Sequence, residues 1–144
     1  MQIARQSVVI SRMEQILAIL AAIACLFITL ICWSSIRAQQ TMWPLPGSYF
    51  LEMLALSVIG AFLVVRGDPR GSLATWGTAG AMSAFSILGA FSVGLFYLPV
   101  ALLFGVVSVS WDLRNKESIP AHLGVFLIAG IVQLLLMLIV ISLR

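Results

Sequence analysis

A carboxylate set among apolar residues is costly to keep ionised away from water, so Glu52, between Tyr49-Phe50-Leu51 and Met53-Leu54-Ala55-Leu56, is the first residue to examine for chemistry. It is the only ionisable side chain expected within a membrane-crossing helix. It would serve as a proton or cation site, or as a polar contact to a partner helix. Its position favours a plainer role, that of a carboxylate in the first turns of a helix, held by the helix N-terminus and reaching for the interface. Gln133 lies in the middle of the last apolar run, Ala121 to Leu143. It would line a polar path together with Glu52, or bond to a neighbouring helix, and the second is the commoner use of a buried amide.

His122 is the only histidine, which excludes metal sites built on two or more imidazoles. One imidazole suffices as an axial ligand to a haem or chlorophyll-type pigment, and His122 is the candidate for that cofactor role. Its place just after Pro120, at the mouth of a helix, favours an interfacial histidine, and no cofactor or metal is expected. Cys25 and Cys32 are seven residues apart, so they share a helix face, but the rise of about 10 Å between them forbids a disulfide. They read as small apolar packing residues. Gly77 with Ala81, and Gly80 with Ala84, form small-xxx-small pairs that let helix backbones approach closely. Such a face serves to dock a partner, or to seat a central helix within the protein's own bundle. Arg66-Gly67-Asp68-Pro69-Arg70-Gly71 has the chemistry of a tight turn, and its arginines anchor a loop at anionic headgroups. No phosphate-binding loop, zinc-protease or serine-hydrolase motif occurs, so the chain is not expected to be an enzyme.

Composition dictates the elements that must position these residues. The chain has 144 residues, 62% of them hydrophobic and 9% charged. Thirteen charges cannot solvate so apolar a domain, and disorder is excluded for the same reason. The net charge of +3 comes from scattered bases, which argues against a nucleic-acid partner. The expected fold is an all-α, polytopic transmembrane bundle in a single integral membrane domain.

A spanning helix needs about 20 apolar residues. Runs at 15–36, 48–66 and 121–143 meet that need, the first as an uncleaved anchor. Gly71 to Trp111 contains no charge over 41 residues. As one helix it would extend about 60 Å, twice the hydrocarbon thickness. A tight helical hairpin resolves this, with spans at 73–91 and 96–111, a turn in Ser92-Val93-Gly94-Leu95, and Pro99 in the first turn of the second span. Five spans with the N-terminus inside place six of eight basic residues in the cytoplasm, whereas four spans place five there. Trp33, Trp43, Tyr49 and Tyr97 then fall at the outer level and Trp76 and Trp111 at the inner one, as interfacial rings should. The C-terminus is expected outside.

The segment Gly89-Ala90-Phe91-Ser92-Val93-Gly94-Leu95-Phe96-Tyr97-Leu98-Pro99 resembles a stretch in small multi-span bacterial membrane proteins, and the likeness extends from Trp76 to about Leu103. The resemblance implies a bacterial cytoplasmic (inner) membrane origin and carries no ligand or activity with it. The functional expectation is a non-catalytic accessory, assembly or interaction subunit. Its partners would be the lipid bilayer and other membrane helices, or a second copy. The alternative is a small transporter or channel with a polar path at Glu52 and Gln133.

Overall fold

A computed structural model describes residues 11–37, 47–89 and 93–142. All regular structure among these residues is helical. Helix α1 spans Arg12–Arg37, α2 Gly47–Arg66 and α3 Gly71–Leu88. A 3-10 turn at Gly94–Tyr97 leads directly into α4, Leu98–Asn115, and α5 spans Ile119–Ser142. Four segments are long and apolar enough to cross a membrane: α1, α2, α5, and the 3-10 turn together with α4. Their outward faces are a continuous run of large apolar side chains, including Phe27, Leu30, Phe62, Leu102, Leu127 and Ile131, each about half exposed. That surface is the surface of a membrane protein.

The helix starts follow from local signals. Ser11 accepts the Met13 amide at 3.1 Å while Glu14 Oε2 accepts the Ser11 amide at 3.2 Å, a reciprocal capping box opening α1. Pro99 lies in the first turn of α4 as expected, and Pro120 lies in the first turn of α5, where a missing amide costs nothing. Helix α4 ends on Lys116 in the left-handed conformation, φ 54°, with its amide bonded to the Asp112 carbonyl. Two expected boundaries are corrected by these signals. Helix α3 stops at Leu88 rather than 91, and α4 continues four residues beyond Trp111, bringing Asp112 and Arg114 onto the helix.

Helices α1 to α4 form a closed ring in which each packs on the next, and α4 returns to α1. Helix α5 stands outside this ring, seated on α3 and touching α4 only marginally. Helix α3 therefore has protein on three sides, and twelve of its 18 residues are buried. Its Gly, Ser, Thr and Ala content keeps it short of the hydropathy that marks the other four helices as candidate membrane spans, and its environment is largely other helices rather than lipid.

The small-residue face works mainly inward. A Cβ added at Gly80 would lie 2.2 Å from the Phe126 carbonyl oxygen on α5, so the two backbones touch there. The hairpin turn depends on a second close approach. The Gly94 amide donates to the Gly89 carbonyl at 2.9 Å, and a Cβ on Gly94 would meet the Gly89 Cα at 2.6 Å. Val93 and Gly94 thus belong to the turn as expected, while Ser92 and Trp43 lie outside the described residues.

The buried stripe of α1 is Ala18, Ala21, Cys25, Thr29 and Cys32, all small, which draws α1 close to its neighbours. Both cysteines are free thiols used in packing, and Cys25 Sγ donates to the Met53 carbonyl at 3.7 Å. Tyr49, Phe50, Phe85 and Tyr97 form an aromatic cluster between α2, α3 and the 3-10 turn, with the Tyr97 hydroxyl bonded to Thr29 Oγ1 at 2.9 Å. Tyr49, Trp76, Tyr97 and Trp111 are buried against other parts of the bundle.

Replacing Gly80 or Gly94 by Ala should destabilise the bundle by about 1–3 kcal/mol through overpacking against backbone that cannot yield. Unfolding in detergent by denaturant titration, followed by far-UV circular dichroism, measures this, and wild-type stability in both variants would contradict the close approaches.

Candidate functional site

Two groups of polar side chains stand out in the bundle. The first is built at the end where the α2–α3 turn meets the α4–α5 turn. Ser72 and Trp76 occupy the first turns of α3, Asp112 the last turn of α4, Glu117 the turn itself and His122 the first turn of α5. Asp112 is fully buried. Its Oδ2 accepts the Trp76 indole N–H at 2.8 Å and lies 2.9 Å from His122 Nδ1, while Oδ1 accepts the Ser72 hydroxyl. With the proton on Nδ1, the imidazole is the third donor to this carboxylate. A buried carboxylate is tolerable only when satisfied in this way.

Glu117 is brought to the same place by the left-handed residue before it, and its amide donates to the Asp112 carbonyl at 3.0 Å. Its Oε2 lies 3.8 Å from His122 Nδ1, and one donor atom from each of Asp112, Glu117 and His122 falls within 4.8 Å of the others. Ser72 Oγ is also 3.3 Å from His122 Nδ1, the same ring nitrogen that meets Asp112. Serine, histidine and aspartate are therefore not arranged as a nucleophile relay, which needs the hydroxyl and the carboxylate on opposite ring nitrogens.

Beside this cluster, Glu14 of α1 pairs with Arg114 of α4 at 3.1 Å, and Gln15 Nε2 donates to the Val65 carbonyl at 3.2 Å. Glu14 is buried and Arg114 is about one-third exposed, at 34%. These contacts bring the start of α1, the end of α2 and the end of α4 to one end of the molecule.

The second group lies between α2, α3 and α5. Gln133 Nε2 donates to Glu52 Oε2 at 3.3 Å, joining the two polar residues singled out from the sequence. Gln133 is buried and Glu52 half-buried. The pair sits in the wall of a lateral groove of about 290 Å³, lined also by Ile59, Gly77, Ala81 and Val132. The small-residue face thus divides. Gly80 and Ala84 meet α5, whereas Gly77 and Ala81 open into the groove, and a Cβ on Gly77 would meet nothing within 4 Å.

His122 is held against Asp112 and is only 15% exposed. Sequence reasoning missed Asp112 and Glu14, because both sit at the ends of uncharged runs and served only to mark where those runs stop. The capping spacing Ser11-x-x-Glu14 was the available signal for one. For Asp112, the signal was two acids, Asp112 and Glu117, and the one histidine, His122, gathered around a short turn. No protein-family model, curated protein or solved structure matches the chain.

Asp112→Ala should cost roughly 3–5 kcal/mol, because it strands Trp76, Ser72 and His122 together. Trp76→Phe, which removes one donor and leaves the carboxylate less satisfied, should cost about 1–3 kcal/mol. Denaturant titration of both variants in detergent checks the order, and an inverted order would show that the carboxylate does not organise this end.

Proposed function

We propose that this chain is a non-catalytic membrane subunit that docks a transmembrane helix of another membrane protein in the lateral groove between α2, α3 and α5. The observation that carries the reading is the open Cβ position at Gly77 beside the Glu52–Gln133 pair. Apolar side chains gain little by leaving lipid for protein, so lateral recognition in a bilayer uses close backbone approach and polar contacts. The groove offers both. Gly77 leaves room for a neighbouring backbone, and the half-buried Glu52 carboxylate still presents acceptor capacity to a donor on the incoming helix.

A transport role would use the same two residues. Their hydrogen bond to each other and the sideways opening of the groove favour docking over a path along the bundle axis. Photo-crosslinking in native membranes decides between them. A crosslinker at Ile59 or Val132, on the groove rim, should give a defined adduct, and one at Phe27, exposed on α1, should not. Gly77→Leu should fill the groove and abolish the adduct while leaving stability within about 0.5 kcal/mol. Equal labelling from Phe27, or an adduct indifferent to Gly77→Leu, would defeat docking. Solute flux lost in Glu52→Gln would instead support transport.

We further propose five spans in a bacterial cytoplasmic membrane, with the N-terminus inside and the C-terminus outside. The support is the gathering of Arg66, Arg70, Arg114 and Lys116 at the end that also holds the start of α1, as positive-inside retention requires. Cys25 and Cys32 are buried, so introduced cysteines report alone. An impermeant maleimide should label Ser35→Cys and Ser142→Cys in intact cells and Arg70→Cys only after permeabilisation. Labelling of Ser142→Cys only after permeabilisation would reduce the count to four.

A further inference from the structure

We infer that Asp112, Glu117 and His122 bind one divalent transition-metal ion of the zinc type at the α3–α4–α5 end of the bundle. The inference is independent of the docking groove, which shares no residue with this cluster. Three different elements deliver the donors: the last turn of α4, the left-handed turn after it, and the first turn of α5.

The spacing suits an ion of this size. Ligands at about 2.0–2.2 Å around a tetrahedral ion stand roughly 3.4 Å from one another. The His122 Nδ1 to Asp112 Oδ2 distance is 2.9 Å and the Nδ1 to Glu117 Oε2 distance is 3.8 Å, one a little under and one a little over that value. A small opening of the first and closing of the second seats an ion without moving a helix. The ion takes the place of the proton between Nδ1 and Oδ2, and the ring then carries its proton on Nε2.

Charge and donor type select the ion. Two carboxylates and one divalent cation sum to zero, which suits a site whose deepest ligand, Asp112, is fully enclosed. An imidazole nitrogen in the set favours zinc and its neighbours over magnesium or calcium, which prefer oxygen alone. An outer shell is already built. Ser72 Oγ donates to Asp112 Oδ1 and the Trp76 indole to Oδ2, and these two bonds fix the orientation of the carboxylate as second-shell donors do in metal sites. Glu117 is about one-third exposed, leaving a way in for the ion and a coordination position for water. Because α5 otherwise touches α4 only marginally, the ion would tie the start of α5 to the end of α4.

The test uses the full chain in detergent, dialysed against a chelator and titrated with zinc against a chromophoric competitor. The expected result is one saturable site per chain, indifferent to excess magnesium or calcium, and visible d–d absorption bands when cobalt replaces zinc. His122→Ala and Glu117→Gln should each weaken zinc at least tenfold and abolish the cobalt bands, and Trp76→Phe should weaken it roughly 10–100-fold as an outer-shell change. Glu117 is partly exposed, so its variant tests the site even where a change at Asp112 prevents folding. Zinc should raise the unfolding temperature of the wild type and not that of His122→Ala. Absence of saturable binding overturns the proposal, and so does a site of equal affinity in the wild type, His122→Ala and Glu117→Gln.

Discussion

Helix α3 is surrounded by α2, α4 and α5, and three helices can converge on one axis only if that axis carries little side-chain bulk. Gly80 meets the Phe126 backbone with no space for a methyl group, and Ala79, Ala81 and Ala84 fill the adjoining contacts. The same constraint explains the hydroxyl groups on this helix. Ser72, Thr75, Thr78 and Ser86 are buried, and Thr75, Thr78 and Ser86 each return a hydrogen bond to a carbonyl three or four residues earlier. Small polar residues of this kind pack tightly without leaving an unsatisfied group. The lower hydropathy of α3 is therefore a consequence of its central place, and a search by hydropathy alone finds the other four helices more readily.

Close packing at the centre limits where polar groups can go. A carboxylate on the buried face of α3 would displace a neighbour, and the buried acids are found instead on α1 and α4, near the helix ends, where a partner can reach them. Glu14 finds Arg114, and Asp112 finds the two donors that α3 presents in its first turns together with His122 from α5. Each pair joins two different helices, fixing the rotation of one relative to another in a way that apolar packing in lipid does not. This polar end therefore sets register, while the aromatic cluster and the glycine turn close the opposite side.

The architecture was legible because its signals are one-dimensional. Hydropathy, the length of the uncharged run from Gly71 to Trp111, and the glycines and proline at its middle suffice to recover five helices and a hairpin. The small-residue face was also legible, though not its division between the Gly80 contact and the Gly77 opening, because helical spacing assigns residues to a face and not to a neighbour. Glu52 and Gln133 were each visible as polar anomalies, 81 residues apart, and only the fold shows that they meet. Asp112 was hidden for a different reason. A charge at the edge of an apolar run is ordinarily solvent-facing, and burial there is decided by how far α4 continues past Trp111 and by what α3 presents to it.

Helix α5 is where these constraints leave the molecule least complete. Only Gln133 and Met137 are buried along its 24 residues, and nearly all of its support comes from α3. A helix held along one line is free to swing about that line unless something fixes its rotation. Two contacts do so: Gln133 to Glu52 towards the α2 side, and His122 to Asp112 at the start of the helix. They lie about eleven residues apart on α5, roughly three turns, so they act as two separate pins on one helix. Both pins are polar and both border an opening, the groove in one case and the partly exposed turn at Glu117 in the other. Binding at either opening would therefore bear on the orientation of α5, which makes this helix the element through which a docked partner and a bound ion would influence one another.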